Sequence, residues 1–462
     1  MEGGVLTHII EVSHGKNIYR SPGADFIPFA YTPLYYYINV PLFTLYPGYF
    51  FPRMVSIFSV TGTGILLFFY LKNKFYRFFL IKTSHFFYPT IFSSALLSLF
   101  LLDFFFTGSF VDLARVDSLW LFFVFAGSIT IIDADDFRTG IISGILLSCA
   151  FWTKQTAVFF IISAGLWSIY RSIRAFTGLF ITTAILCGLS TLIFNYFSDG
   201  WFWFYIRTIH KTHTFSYSVF WPETPVRLLE RYFLLFSASS LFLLYKFVRD
   251  RVLDHYSIFF LILALTGIWA SSTSMATQWA HTNALIPGSF FILTLFVWTF
   301  HESVAYGNSK ISPVFTVIFA AVFIIHTWVR FPKENLFRKH TPDTHSHIRA
   351  KKFISFLKQF RNENILIPYH PFLSYRITGK YHFHMHALND IRASGMKTPD
   401  SIHVSMKNSS YNYIVHDRKG RIYYNQLPWL WENYILIRNF REYKIKTWSG
   451  NPCGSRYLWK RR

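Results

Sequence analysis

Charged residues and cysteines are both scarce in this chain of 462 residues. Only 15% of the residues are charged and 52% are hydrophobic, which excludes a disordered chain and an ordinary soluble domain. The three cysteines, Cys149, Cys187 and Cys453, are too few and too scattered for a disulfide framework. The sequence also lacks a glycine-rich phosphate loop of the Walker or dinucleotide type, so nucleotide-driven chemistry is not predicted.

Apolar runs dominate the first two thirds of the sequence. A helix needs about 20 apolar residues to cross a bilayer, and runs of that length or slightly shorter cover 52–71, 86–106, 113–132, 175–195, 231–248, 256–272, 284–300 and 312–329. Two shorter runs, 141–153 and 155–170, meet at Lys154. These runs predict an all-α polytopic membrane domain with about ten transmembrane helices, one short pair included.

No run after Phe331 is long enough to span a membrane. Short strand-like segments such as Tyr411–Val415 and Tyr434–Ile437 alternate there with polar turns, as in a soluble α/β domain. The tyrosine- and proline-rich segment Pro33–Tyr49 suits a helix lying at headgroup level rather than a span. The predicted domains are an outer loop with interfacial helices (1–51), a transmembrane domain (52–330) and a C-terminal α/β domain (331–462).

The basic residues of the short loops predict the orientation. Lysines and arginines crowd the loops after the first run (Lys72, Lys74, Arg77 and Lys82), near Arg171 and Arg174, and near Lys246, Arg249 and Arg251. The alternate loops 107–112 and 273–283 contain no lysine or arginine. We therefore expect residues 1–51, the loop 196–229 and the C-terminal domain on the outer face of the membrane.

Most of the net charge of +22 lies in the C-terminal domain, where 24 Lys and Arg stand against 8 Asp and Glu. On the outer face such a domain is expected to contact anionic membrane lipid rather than nucleic acid.

The start Met1-Glu2-Gly3-Gly4 has neither the basic nor the apolar region of a signal peptide. An outer start then predicts that a leading transmembrane helix is missing from this sequence or that the true start lies upstream.

Several motifs together resemble a known superfamily. They are Glu2 at the opening of an outer loop, the segment Tyr31-Thr-Pro-Leu-Tyr-Tyr-Tyr37, Arg53 at the next helix, Ala114-Arg-Val-Asp-Ser-Leu119, and Gly144 to Lys154-Gln155-Thr156. Their order and spacing over roughly residues 1–170 are similar to the GT-C glycosyltransferases, in particular to bacterial relatives of the protein O-mannosyltransferases and of the lipid A aminoarabinose transferases. Thr32 stands where the aminoarabinose transferases have a lysine, which favours the broader mannosyltransferase-like set.

The resemblance implies sugar transfer from a polyprenyl phosphate to a glycan, lipid or protein acceptor. It implies that the acid at Glu2 acts as base toward the acceptor, with Asp25 as the fallback acid in the same loop. Cations near the membrane surface can stabilise the departing phosphate. The candidate substrate-binding residues are Tyr31, Arg53, Arg115, Asp117, Lys154, Gln155, Arg207 and His281. No cofactor is predicted, although a divalent cation is possible.

Structural alternatives remain open for each of these residues. Glu2 can be a solvated terminal residue and Asp25 a turn residue; Arg115 and Asp117 can form a salt bridge that anchors a helix end; Lys154 can snorkel. The aromatic and cationic loop 196–229 can cover a lipid tail or serve only as an interfacial anchor. His382, His384 and His386 lie on one face if their segment is a strand, which suggests a metal site but more simply an exposed strand.

The leading functional hypothesis is therefore an outer-face membrane glycosyltransferase. A transporter or flippase of a lipid-linked saccharide is the alternative, and it should show matching broken helices in two halves. Only one broken pair, at Lys154, is visible in the sequence. A catalytically inactive relative is the third possibility.

Overall fold

The structure is a computed structural model that describes residues 2–76, 87–305, 312–331, 341–417, 427–440, 445–446, 452–453 and 457–462. Helices occupy each of the predicted apolar runs. In the membrane part they are α3 (Phe50–Tyr76), α4 (Phe87–Leu102), α5 (Val116–Ile131), α6 (Phe137–Thr153), α7 (Val158–Arg171), α8 (Ile173–Thr183), α9 (Ser190–Phe197), α13 (Phe233–Asp250), α14 (His255–Ala276), α15 (Ile286–Ala305) and α16 (Ser312–Arg330).

The chain is an integral membrane protein by the length and composition of these helices. Among the described residues, five helices are long and apolar enough to cross a bilayer, and the bent pair Val219–Arg231 and Phe233–Asp250 adds a sixth if it is one span. The apolar helices α5 and α6 are too short to be counted among these spans. The number of about ten transmembrane helices stays a prediction.

The two ends of the helix bundle are marked by the residues at the two ends of α3. Arg53 lies in the first turn of α3 and Lys74 in its last turn, about 30 Å apart at the rise of an α-helix. At the Lys74 end, Lys74 pairs with Asp133 at 2.6 Å. Also at that end, the Asp254 carboxylate accepts a hydrogen bond from the Ser257 backbone N–H and caps α14. We call this the opposite end, and the end that carries the C-terminal domain the domain end.

Further helices lie at the domain end, before, between and after the spans. They are α1 (Glu2–Ser13), α2 (Leu34–Leu45), α10 (Trp201–Trp203), α11 (Ile209–Thr212), α12 (Thr224–Arg231), α17 (Thr344–Leu357), α18 (Pro371–Thr378), α19 (Met385–Ala393), α20 (Asp400–Lys407) and α21 (Leu430–Asn433). Helix α2 falls within the segment predicted to be an interfacial helix. It keeps Tyr37 and Leu45 exposed at 48% and 76%, as contact with lipid headgroups requires.

The region after α16, which the sequence predicts to be the C-terminal domain, contains a four-stranded sheet with the order β1-β2-β6-β3, in which only β1 and β2 are parallel. The strands are β1 (Ile365–Leu366), β2 (Tyr413–His416), β3 (Tyr434–Asn439) and β6 (Tyr457–Arg461), with a separate pair β4 (Ile445–Lys446) and β5 (Pro452–Cys453). Strands β2 and β3 lie where the sequence predicts strands.

The strand expected at His382–His386 is wrong. His384 instead precedes α19, and its ring accepts a hydrogen bond from the His386 backbone N–H as an N-cap. The three imidazoles therefore do not share a strand face.

Helix α1 is part of the core of the C-terminal domain rather than a solvated loop. Nearly all of its side chains are buried, and they share one apolar cluster with residues of α18, α19 and the sheet. The contact is close enough to require a glycine, because a Cβ at Gly4 would lie 2.4 Å from a ring carbon of Phe29 and 2.9 Å from the His384 ring. This packing fixes where Glu2, at the start of α1, is held.

Candidate functional site

A buried carboxylate, Asp117, lies at the centre of a group of charged side chains at the domain end. Asp117 is in the first turn of α5, and its side chain is 1% exposed. Its Oδ1 accepts hydrogen bonds from Lys154 Nζ at 2.9 Å and Asn283 Nδ2 at 3.0 Å. Its Oδ2 accepts from Arg115 Nε at 3.0 Å. Two cations thus surround one anion, which leaves one formal positive charge in a site with little water.

The break between α6 and α7 places Lys154 within hydrogen-bonding distance of Asp117. Lys154 is the C-cap of α6 in an extended conformation, and a short 3₁₀ turn at Gln155–Ala157 leads into α7. The break makes the lysine point along the bundle toward Asp117 instead of out to lipid. The Lys154 ammonium also lies 5.6 Å from the centre of the Trp120 ring, a cation–π distance. The sequence prediction of a helix break at Lys154 is confirmed.

Glu2 and Arg53 form a second charged group beside the first. Arg53 donates two hydrogen bonds to the Glu2 carboxylate, from Nε at 2.9 Å and from Nη2 at 2.7 Å. The backbone N–H of Ala114 donates a third, at 2.8 Å to Glu2 Oε1. Glu2 is therefore held in a fixed geometry by a bidentate arginine pair and by the chain segment that carries Arg115 and Asp117.

Asp112 belongs to this second group and was not predicted from the sequence. It is half-buried, and its Oδ1 is buried without a hydrogen-bond partner among the described residues. Burial raises the pKa of the Asp112 carboxyl, an effect that the Arg53 guanidinium opposes and the Glu2 carboxylate reinforces. A carboxylate with a raised pKa and an unused oxygen is suited to accept a proton.

Tyr31 and Gln155 connect these groups to the loop after α1. Arg115 Nη2 donates to the Tyr31 hydroxyl at 3.3 Å. Gln155 Nε2 donates to the Ala30 carbonyl oxygen at 2.9 Å and lies 2.9 Å from His210 Nε2. A cleft beside these residues is lined by Val5, Phe29, Tyr31, Arg115 and Val116. Arg115 is thus both a partner of Asp117 and part of the wall of an opening.

His281 lies at the exposed edge of the cationic group. Its ring is 4.8 Å from the Phe110 ring, and the Arg115 guanidinium lies 4.8 Å from the same ring. Burial and then the charge of Arg115 lower the pKa of His281, so the imidazole is neutral at pH 7. A neutral, exposed imidazole beside a buried arginine can hydrogen-bond to a ligand that approaches Arg115.

Two of the predicted site residues lie elsewhere. Asp25 is 68% exposed and pairs with Arg20 at 2.8 Å, which in turn pairs with Glu11. Arg207 is exposed, and its guanidinium lies 4.9 Å from the Trp203 ring. Neither forms a hydrogen bond or ion pair with the residues around Glu2 and Asp117. Thr32, in contrast, is buried and donates to the Phe151 carbonyl at 2.8 Å, so it supports the end of α6.

No metal centre is formed by the residues that the structure describes, since no three His, Cys, Asp or Glu side chains come together as ligands. The site is therefore composed of paired carboxylates and cations.

No protein-family model matches this sequence, and no curated protein is similar to it.

Asp112 and Asn283 are the functional candidates that sequence reasoning missed. Both lie in the loops 107–112 and 273–283, which carry no lysine or arginine and in which only His281 was a predicted site residue. An aspartate three residues before Arg115 was a signal that could have found Asp112. Asn283 offered no signal of its own, because its partner Asp117 is 166 residues away in the sequence.

Proposed function

We propose that this protein is a GT-C-type glycosyltransferase of the bacterial inner membrane, with the C-terminal domain on the periplasmic side. It moves a sugar from a polyprenyl phosphate to a glycan, lipid or protein acceptor. The observation that carries the proposal is the division of the site into two oppositely charged halves. Glu2, Asp112 and Arg53 sum to one formal negative charge, and Asp117, Arg115 and Lys154 to one formal positive charge.

The two halves match the two needs of glycosyl transfer. The acceptor hydroxyl must lose a proton as its oxygen bonds to the anomeric carbon, and the lipid phosphate must leave with its electron pair. Asp112 and Arg115 are three residues apart in one loop, so the acid half and the cationic half adjoin. Proton acceptance and phosphate stabilisation can then act on one sugar held between them.

Each residue has a role in this reaction. Asp112 takes the acceptor proton, because its Oδ1 has no hydrogen-bond partner among the described residues and burial raises its pKa. Glu2, held by Arg53 and by the Ala114 N–H, orients the acceptor. Arg115 and Lys154 stabilise the charge that develops on the leaving phosphate, and the excess positive charge around Asp117 is available for it. The anomeric configuration inverts, since a single displacement connects acceptor and sugar.

The position of the site also suits a lipid-linked donor. Lys154 and Arg115 lie at the ends of apolar helices, where a polyprenyl phosphate would place its headgroup while its tail remains in the bilayer. Exposed aromatic residues of the loop 196–229, such as Trp203 and Trp221, are of the type found at membrane interfaces.

The test is transfer of a labelled sugar from polyprenyl phosphate by the purified protein in proteoliposomes, with a cell-envelope extract as acceptor. Lys154→Met should reduce the rate about 100-fold or more, as loss of one group that stabilises developing charge does in other enzymes. Lys74→Met is the matched control, because it removes a lysine from a lysine–aspartate pair at the opposite end of the bundle. Equal rates for both variants would contradict the assignment of the cationic half.

The same preparation distinguishes a transporter. If the labelled lipid crosses the bilayer without any sugar leaving its phosphate, and Asp112→Asn has no effect on that movement, the protein is a flippase rather than a transferase. Transfer that is lost in Asp112→Asn and kept in Asp133→Asn supports the enzyme.

A further inference from the structure

A second cluster of cations lies at the domain end, apart from the Asp117 group. Its acid is Asp103, which follows α4 and is fully buried. Arg231, at the end of α12, donates from Nε to Asp103 Oδ1 at 2.6 Å. Arg330, at the end of α16, donates to the backbone carbonyl of Arg231 at 3.3 Å. Among the described residues, no hydrogen bond or ion pair joins these side chains to Asp117.

A third arginine of this cluster has no anionic partner. Arg227 lies one turn before Arg231 on α12, and both guanidinium groups face the same ring, Phe106, at 5.4 and 5.1 Å from its centre. In the described part of the chain Arg227 forms no hydrogen bond or ion pair, although it is half-buried. Glu230 on the same helix is exposed and forms no ion pair with a described residue.

The charges of this cluster do not balance. Asp103 neutralises one of the three guanidinium groups, so two formal positive charges remain at Arg227 and Arg330. Close like charges repel strongly where little water screens them. The buried Nε2 of His326 lies 3.8 Å from Asp103 Oδ2 and has no hydrogen-bond partner among the described residues. An anion would neutralise the excess and hydrogen-bond to the guanidinium groups.

The location indicates what kind of anion. Arg330 is the last residue of a helix of membrane-spanning composition, and Trp328 and Phe331 beside it are 83% and 66% exposed. Exposed aromatic residues at the end of such a helix mark the headgroup level of a bilayer. Anions concentrated at that depth are the phosphate groups of lipids, which arginine binds in bidentate geometry.

We infer that Arg227, Arg231 and Arg330 form a binding site for the phosphate group of a membrane lipid. Asp103 holds Arg231 in place, and Phe106 orients Arg227 and Arg231 side by side. The lipid is either a phospholipid of the bilayer or a polyprenyl phosphate. This site does not depend on the proposed glycosyl transfer.

The test measures lipid binding to the full-length protein in nanodiscs by native mass spectrometry. The probes are phosphatidylglycerol and polyprenyl phosphate, each titrated into phosphatidylcholine. We expect the wild type to retain the anionic probe in preference to the zwitterionic phosphatidylcholine, and Arg227→Gln with Arg330→Gln to weaken its apparent affinity roughly fivefold for each arginine removed. Arg174→Gln is the control, because it removes an exposed arginine at the opposite end.

The outcomes separate the lipid sources and the failure of the inference. Retention of phosphatidylglycerol assigns the site to bilayer lipid, and retention of polyprenyl phosphate alone assigns it to the carrier; both support a phosphate site. Equal binding by the wild type and the double variant overturns the inference, as does a wild type that retains neither probe. If the double variant does not fold, Arg227→Gln alone preserves the test, since Arg227 forms no ion pair with a described residue.

Discussion

Asp117 should contribute far more to the free energy of unfolding than the aspartate of a similar pair at the opposite end. Asp117→Asn keeps the size of the side chain but removes the only anion that contacts Arg115 and Lys154 among the described residues. Both cations are largely buried, with 5% and 13% of their side chains exposed. Breaking a buried ion pair by removal of one partner costs about 3–5 kcal/mol, because an uncompensated charge stays behind.

The control for this prediction is Asp133→Asn. Asp133 pairs with Lys74 at 2.6 Å, but their side chains are 36% and 27% exposed. A pair that is so open to water contributes about 0–1 kcal/mol. The two aspartates therefore form a matched comparison in which burial is the main difference.

Unfolding by titration with sodium dodecyl sulfate in mixed micelles measures the difference. We expect the free energy of unfolding to fall by about 3–5 kcal/mol in Asp117→Asn and by less than about 1 kcal/mol in Asp133→Asn. Adding Lys154→Met to Asp117→Asn should restore part of the loss, because one of the two unpaired cations is then gone. Equal effects of the two aspartate variants, or a further loss in the double variant, would refute the reasoning.

Three further predictions concern Asp112, Asp390 and Tyr381. The rate of sugar transfer should rise with pH as Asp112 loses its proton, from a starting point above that of an ordinary aspartate, and Asp112→Asn should abolish this limb of the pH–rate profile. Burial raises the pKa of Asp390 to about 7. The protonated carboxyl of Asp390 therefore stabilises the folded state fully below the pKa of an unfolded aspartate, and this stabilisation is lost as pH rises through about 7. The free energy of unfolding of Asp390→Asn should lack this pH dependence. Tyr381→Phe removes a hydrogen bond to the buried Glu11 carboxylate at the end of α1, which should lower the melting temperature by destabilising the packing of α1 against the C-terminal domain. Tyr375→Phe, at another half-buried tyrosine, should not lower it if this bond is the cause.

Apolar length and helix-breaking residues determined which parts of the fold could be predicted. The runs that form α3, α5 and α14 are apolar along their whole length, so local composition is enough to predict these helices. The break at Lys154 was visible for the same reason, because a lone ammonium between two apolar segments must find a polar environment. Composition alone also located β2 and β3.

Long-range partners were not predictable in the same way. Nothing local to Glu2 indicates that Arg53 and the Ala114 N–H will hold it. The burial of α1 depends on residues of the C-terminal domain that are more than 350 positions away, such as Phe372 and His384. The alternatives left open for Arg115 and Asp117 illustrate the limit: their mutual salt bridge was foreseen as one possibility, but the contribution of Lys154 and Asn283 was not.

The separation of charge within the site reconciles its burial with its proposed chemistry. Six ionised groups in a poorly hydrated region would be costly if they carried a net charge, and here the negative half around Glu2 and the positive half around Asp117 compensate each other. In the proposed reaction, a lipid phosphate bound at the positive half would cancel its excess charge and add negative charge to the site that Asp112 borders. Asp112 would then hold a proton more tightly, and its carboxylate would be a stronger base when the donor is present. The acceptor would be deprotonated most readily once the donor phosphate is in place, which would disfavour reaction at an empty donor site.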